Sequence, residues 1–317
     1  MRHPLIFWSV LVLVILLLIF FFVVMPILTV KIYDSNFDRR YETDNTVQNK
    51  IAFYPGLEGE PCSFKTKQGH TLAGMKYYKK DQEVKGVAVI AHGLGGGGHK
   101  GFTDVADRFT SDGYLVFGYD ATANDLSEGE KVGGLPQGVI DLDYALRYVK
   151  IQPEYEGLPI VLFGYSWGSY SVGNVLNLHP DVKAAVMVSG FNESSDMIEQ
   201  RGKEYVGKHA VKLLIPYVRL YERIRFGRYA SLSAVKGFET AKDTEIMIVY
   251  SMDDDTVHRE SGYEPFLPYM DDPRFTFKIY EDRGHQWICR AKPNTLILDD
   301  ALFDDIAAMY DTCCKGE

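Results

Sequence analysis

Residues 160–173 read IVLFGYSWGSYSVG: a short apolar run, then Gly164-Tyr165-Ser166-Trp167-Gly168, then small residues compatible with a helix. This G-x-S-x-G pattern is that of a nucleophile elbow, in which a strand turns abruptly into a helix and holds a serine hydroxyl exposed in strained backbone geometry. Glycines two before and two after the serine remove the Cβ atoms that would collide in the turn. The N–H groups and positive end of the following helix then face any oxyanion that forms there. In a chain with 29 glycines such a pentapeptide also arises as an ordinary strand-to-helix turn, so its partners decide its meaning.

A serine becomes a useful nucleophile only when a base lies within hydrogen-bond reach and an acid fixes the tautomer of that base. After an elbow the required order is serine, acid, histidine. Of eight histidines, only His258 and His285 come late enough. His285 follows the last expected strand in Tyr280-Glu-Asp-Arg-Gly-His285-Gln-Trp, a loop able to reach back to Ser166, whereas His258 opens a helix-like segment and reads as a helix cap or a solvated residue. The acid belongs after the preceding strand, where Asp253, Asp254 and Asp255 stand side by side and spacing does not choose among them. The second oxyanion donor is expected from the loop Ala91-His92-Gly93-Leu94-Gly95-Gly96-Gly97-Gly98-His99, whose glycines allow close approach to a ligand. The oxyanion hole is therefore assigned to the N–H groups of Leu94 and Trp167, and His92 to a structural place beneath the loop. The loop has neither phosphate-binding pattern in proper form. The chemistry implied is acyl transfer through a covalent acyl-enzyme, with no metal and no cofactor.

Several elements must position these residues. Apolar runs at 86–91, 114–119, 160–163, 183–189, 246–251 and 274–280 alternate with helical patterns at 102–111, 137–150, 169–178 and 295–310. That rhythm predicts a mostly parallel sheet covered on both faces, with a hairpin over 62–78 supplying antiparallel edge strands. Ligand chemistry then gathers at the carboxyl ends of the strands. Residues 190–244 break the rhythm at a length no ordinary connection needs. They read as a two-helix cap, about 190–230, followed by one sheet-covering helix near 229–242.

Residues 5–30 carry no charged side chain and are dense in Leu, Ile, Val and Phe, enough at 1.5 Å per residue to cross a ~30 Å hydrocarbon core. A cleaved signal has a shorter apolar core and a small-x-small site, which residues 25–31 do not offer. The division expected is thus an anchor over 1–31, a stem over 32–59 with a helical turn around 47–53, and a catalytic domain over 60–317. Lys31, Arg39 and Arg40 after the span argue for a cytoplasmic domain, but the four-residue tail before it suits a signal-anchor, and an extracytoplasmic domain is expected. Net charge is −9, with no basic cluster, which argues against a nucleic-acid partner. Cys62, Cys289, Cys313 and Cys314 have neither metal nor redox spacing.

Together these residues resemble the α/β-hydrolase family over roughly 60–312, in particular its monoacylglycerol lipase-like, serine aminopeptidase-like and bacterial carboxylesterase branch. The resemblance implies a sheet of about eight strands. His92-Gly93-Leu94-Gly95 is similar to the family's oxyanion loop. The segment 120–129, DATANDLSEG, is similar to its D-x-x-G-x-G-x-S-x-G stretch, with Ala123 and Asp125 in place of two glycines. The resemblance also implies that Asp254, three before Val257, is the acid, with Asp253 the fallback, and it matches Gly284-His285 to the family's Gly-His pair. An apolar cap beside a membrane anchor suggests an acyl ester near lipid, such as a monoglyceride, lysophospholipid or small carboxylester. Amide or peptide hydrolysis would need an acidic patch for an α-ammonium, for which Glu193, Asp196 and Glu199 are candidates. A silent membrane-displayed binding scaffold is the alternative from outside enzymology.

Overall fold

The computed structural model describes residues 3–43 and 50–314, and the stem positions Asn45, Val47 and Asn49 lie outside them. Eight strands form one sheet in the order β1-β2-β4-β3-β5-β6-β7-β8. β1 (Glu58–Lys65) and β2 (Thr71–Tyr78) are antiparallel to each other, and β2 is antiparallel to β4 (Tyr114–Tyr119). β3 (Gly86–Ala91), β5 (Ile160–Tyr165), β6 (Ala184–Val188), β7 (Glu245–Ser251) and β8 (Phe275–Tyr280) join β4 in parallel.

The near-continuous apolar runs of the central strands follow from burial on both faces. Along β3, Val87 and Val89 enter one core layer while Ala88 and Ile90 enter the other, as successive side chains on a strand must. The first layer is closed by α4 (Pro136–Lys150), α5 (Trp167–Val175) and α8 (Ala234–Thr240). The second is closed by α3 (Thr103–Ser111) and α10 (Asp300–Cys314). A short α9 (Arg259–Gly262) follows β7, with His258 at its N-cap position. Between β6 and α8 stand two long helices, α6 (Ser194–Val206) and α7 (Lys208–Phe226), on the side where the parallel strands end.

The amino-terminal helix is longer than its apolar stretch. α1 (His3–Ile19), a π turn (Phe20–Val24) and α2 (Met25–Phe37) are continuous, and 32 of these residues, Ile6–Phe37, make a rod about 48 Å long. The π turn has a cause in the sequence. Pro26 has no N–H, the Met25 N–H bonds to the Phe20 carbonyl, and the Phe21 carbonyl is left without a helical donor. It accepts the Tyr217 hydroxyl of α7 at 2.9 Å.

From Met25 onward one face of the helix is packed against α7. Met25, Thr29 and Tyr33 are buried at four-residue intervals, so residues 32–37, expected to belong to the stem, are the last two turns of this helix. Asp34 accepts from the Tyr221 hydroxyl at 2.7 Å and from Arg225 at 2.9 Å. Glu222 of α7 accepts from the Tyr33 hydroxyl at 2.7 Å and from the Ser194 hydroxyl of α6 at 2.6 Å, so one buried carboxylate ties helix and cap together.

Burial pushes the Glu222 carboxyl up to about 7 against the lowering effect of those two hydroxyls. With the pKa raised, the folded state holds more protons than the unfolded state between about 4.5 and about 7, so stability falls as pH rises through that window and levels off above it. Thermal unfolding followed across this range is expected to show Tm decreasing by several degrees. Glu222→Gln, which still accepts both hydroxyls, should flatten that slope; an equally steep slope in the variant would assign the effect elsewhere.

Beyond the helix the chain is stitched to the segment 120–129. The Tyr41 N–H donates to the Ala123 carbonyl at 2.9 Å, the Asp125 N–H donates to the Tyr41 carbonyl at 3.0 Å, and the Asp125 carboxylate accepts the Thr43 N–H at 2.6 Å. Ala123 and Asp125 have φ of +59° and +41°, the region glycine favours. These are the two positions that depart from the glycines of the resembled pattern, and the strain at Asp125 is offset by bonds a glycine has no side chain to make. Of the stem helix expected over 47–53, Ile51–Phe53 form a single 3₁₀ turn.

Candidate active site

Ser166 sits between β5 and α5 with φ +54° and ψ −116°, a conformation most residues avoid. The fold holds it there through the Ser166 N–H donating to the Val188 carbonyl at 2.8 Å and the Tyr170 N–H donating to the Ser166 carbonyl at 2.9 Å. The flanking glycines are needed for space. A Cβ on Gly164 would stand 2.5 Å from the Gly168 carbonyl oxygen, and one on Gly168 would stand 2.0 Å from that of Ala91. The elbow is therefore packed backbone to backbone against the end of β3, which brings the glycine-rich loop beside the serine.

His285, from the loop after β8, places Nε2 3.0 Å from Ser166 Oγ. Its Nδ1 lies 2.8 Å from Asp254 Oδ2, and the Tyr165 hydroxyl donates to the His285 carbonyl at 2.9 Å. Asp254 follows β7, is buried, and uses its other oxygen to accept the N–H groups of Thr256 at 2.9 Å and Val257 at 2.8 Å. With Asp254 in contact, Nδ1 carries the proton and Nε2 is left to accept from the serine hydroxyl.

The three neighbouring aspartates separate in space. Asp253 turns away from the imidazole, accepting the Ser251 hydroxyl at 2.5 Å and the Gly284 N–H at 2.8 Å, and so holds the loop that carries His285. Asp255 is exposed and accepts the Thr256 hydroxyl at 3.2 Å. The bracing of the histidine loop by Asp253 is invisible in the sequence, because it depends on β7 and β8 being neighbours in the sheet. The parallel register that pairs Ser251 with Tyr280 is the only signal that would reveal it.

Leu94 and Trp167, expected to supply backbone donors, line the same cavity as Ser166 and His285. Trp167 is the first residue of α5, where helix N–H groups lack intrahelical partners. Gly95, Gly97 and Gly98 adopt positive φ, and a Cβ on Gly98 would lie 2.1 Å from Asp120 Oδ1. His92 is buried beneath the loop, with Nδ1 2.8 Å from the Gly93 carbonyl and Nε2 accepting the Ala121 N–H at 2.9 Å. Desolvation lowers its pKa, which keeps it neutral. His258 is half-exposed, 3.8 Å from Glu204.

The cavity above Ser166 has a volume of about 920 Å³. Its walls come from the cap, the glycine-rich loop and, unexpectedly, the amino-terminal helix. The side chains carrying formal charge along it are Arg39 and Arg201. Glu193, Asp196 and Glu199 do not line it: Glu193 and Glu199 lie near Arg219 and Lys203, and Asp196 is pushed up to about 6 by burial. Among the described residues no cluster of His, Cys, Asp and Glu is arranged to hold a metal.

The chain has the α/β-hydrolase fold, a mostly parallel eight-stranded sheet flanked by helices. Residues 82–235, a little under half of it, match the family described as serine aminopeptidase, S33. The match includes the glycine-rich loop, the elbow and the cap, and ends before Asp254 and His285. A monoglyceride lipase homolog of monkeypox virus is 34% identical over 95 residues, which cover 30% of this chain and 34% of that protein. Caffeoylshikimate esterase of Arabidopsis thaliana is 28% identical over 115 residues, 36% of this chain and 34% of the esterase. The chain thus matches about a third of the length of each of these relatives. An esterase of Pyrococcus furiosus superimposes with a TM-score of 0.64 at 16% identity, covering 87% of this chain and 99% of its own. An α/β-hydrolase of Penicillium gives 0.59 at 16% identity, covering 82% and 100%.

Proposed function

We propose that this protein is a membrane-anchored serine hydrolase that cleaves carboxylic esters with an apolar acyl group. The observation that carries the proposal is the unbroken hydrogen-bonded line from Asp254 through His285 to Ser166, opening into an apolar cavity. In the reaction, Ser166 Oγ attacks the ester carbonyl carbon as its proton passes to His285 Nε2. The resulting oxyanion is held by the N–H groups of Leu94 and Trp167, at the start of α5 where the helix dipole adds to their effect. His285 returns the proton to the departing alkoxide, leaving the acyl group on Ser166. It next takes a proton from water, whose oxygen attacks the acyl carbon, and returns that proton to Ser166 Oγ as the Ser166–acyl bond breaks and the carboxylic acid leaves. Asp254 holds the imidazole in the productive tautomer throughout.

The charge of the cavity favours esters over aminoacyl amides. Arg39 would repel a substrate α-ammonium, Arg201 is paired with Glu204 at 3.2 Å, and Glu193, Asp196 and Glu199 lie outside the cavity walls. The lipid-like character of the substrate is supported by the apolar lining and by the lipase and esterase relatives. Residues 6–24 are exposed almost all the way round and span roughly 28 Å, which suits a single-pass anchor, with the hydrolase domain extracytoplasmic as a signal-anchor would leave it.

The full-length protein in detergent is expected to hydrolyse p-nitrophenyl esters and monoglycerides at least about 100-fold faster, in kcat/KM, than aminoacyl p-nitroanilides. The opposite order would remove the ester reading and leave a peptidase on the same scaffold.

A further inference from the structure

Where the anchor helix leaves its fully exposed stretch it becomes part of the cavity. Thr29, Ile32, Tyr33 and Phe37, along one face of α2, line the same space as Ser166, opposite cap residues such as Val211 and Leu214. Thr29 is buried with no hydrogen-bond partner for its hydroxyl among the described residues, and Ile32 remains 41% exposed although it lines this space. A helix that only tethered the domain would have no reason to place these side chains there.

The position of the membrane can be read along the same helix. Residues 6–24 already match a ~30 Å hydrocarbon core, so the bilayer surface falls close to Met25, where burial against the cap begins. An unpaired carbonyl in hydrocarbon is strongly unfavourable, and Tyr217 satisfies that of Phe21 from the cap side. α7 is thereby held at the bilayer surface. Its outward face presents Leu213, Leu220 and Ile224, exposed by 56, 58 and 75%, at the seven- and four-residue spacing of one stripe, next to Lys212 and Arg223. An apolar stripe bordered by bases is the pattern of a helix lying in a membrane interface.

We propose that the carboxyl-terminal half of the anchor helix is a wall of the acyl-binding site, and that the acyl chain of a lipid ester enters from the bilayer along that wall. The inference rests on the hydrolase reading above and adds that specificity for chain length is set partly by Ile32 and Thr29, which touch the chain far from Ser166. Entry beside the helix means that a long chain moves from hydrocarbon into the cavity without crossing water. Anchor and specificity element are one structure.

The test uses the full-length protein in phosphatidylcholine nanodiscs, with 1-palmitoylglycerol in the bilayer and p-nitrophenyl butyrate in solution. Ile32→Trp, which fills the wall, is expected to lower the palmitoyl-to-butyryl ratio of kcat/KM by about tenfold, the effect of excluding roughly two methylenes from apolar burial. Ile27→Trp, on the exposed side of the same helix, should leave that ratio within about twofold of wild type. Fluorophosphonate labelling reports whether each variant keeps an intact site. A labelled Ile32→Trp protein with an unchanged ratio overturns the inference and leaves the hydrolase reading standing. If Ile32→Trp does not label, Ile32→Ala decides: a longer preferred chain supports the wall, and an unchanged optimum overturns it. A wild-type protein that neither labels nor hydrolyses either ester overturns the hydrolase reading and this inference with it.

Discussion

Ser166→Ala is expected to lower kcat for p-nitrophenyl butyrate by about 10⁶ and to abolish labelling by a fluorophosphonate probe. In the proposed reaction the hydroxyl is the atom that forms the acyl-enzyme, and no neighbouring side chain is placed to replace it at the elbow. The nearest serine along α5, Ser169, is fully buried. Alanine suits the site sterically, because Ser166 already tolerates a Cβ at φ +54° and its backbone bonds to Val188 and Tyr170 do not involve the hydroxyl. The variant should therefore fold, and its thermal unfolding should track that of the wild type. Any activity left over would come from binding and the backbone donors alone. Labelling at the wild-type rate in Ser166→Ala would show that the nucleophile lies elsewhere.

Asp254→Asn should lower kcat by about 10⁴ with little change in KM, whereas Asp253→Asn should lower it by no more than about tenfold. An amide at 254 can still accept the N–H groups of Thr256 and Val257, so the turn survives. It can no longer stabilise the imidazolium, and an amide NH₂ facing His285 favours the tautomer with the proton on Nε2, which cannot accept from Ser166. Asp253 instead braces the loop through Ser251 and Gly284, two contacts that an asparagine carbonyl oxygen can keep. Equal losses in the two variants, in single-turnover kinetics, would overturn this division of roles.

Much of this arrangement is legible in the order of residues because its causes are local. The elbow needs two glycines and a serine at fixed spacing, and the structure gives the reason in the contacts a Cβ would make at Gly164 and Gly168. The alternation of apolar strands with amphipathic helices follows from burying both faces of a parallel sheet, as the two-layer distribution of β3 demonstrates. The two-helix cap was visible as a break in that rhythm. Element ends were less so: α10 runs Asp300–Cys314 rather than 295–310, because residues 295–299 make an irregular turn in which Leu298 bridges Arg290.

The amino-terminal helix illustrates the boundary. Charge-free length specifies a helix able to cross a bilayer, since hydrophobicity and 1.5 Å per residue are properties of the chain alone. Nothing in that count foretells that Thr29, Ile32, Tyr33 and Phe37 would line the cavity of Ser166, or that Glu222, almost two hundred residues away, would accept the Tyr33 hydroxyl.

By itself, then, the sequence determined the sheet, the elbow, the late histidine and the apolar span, all set by neighbours within a few positions of one another. The tertiary structure brings Asp254, to which the resemblance pointed where spacing did not choose, against His285, lines the cavity with Arg39 and Arg201 and not with Glu193, Asp196 or Glu199, and sets residues 29–37 of the amino-terminal helix along it. Those outcomes depend on where separate strands and helices come to rest, and a difference of one residue at a strand end turns a side chain toward or away from the imidazole.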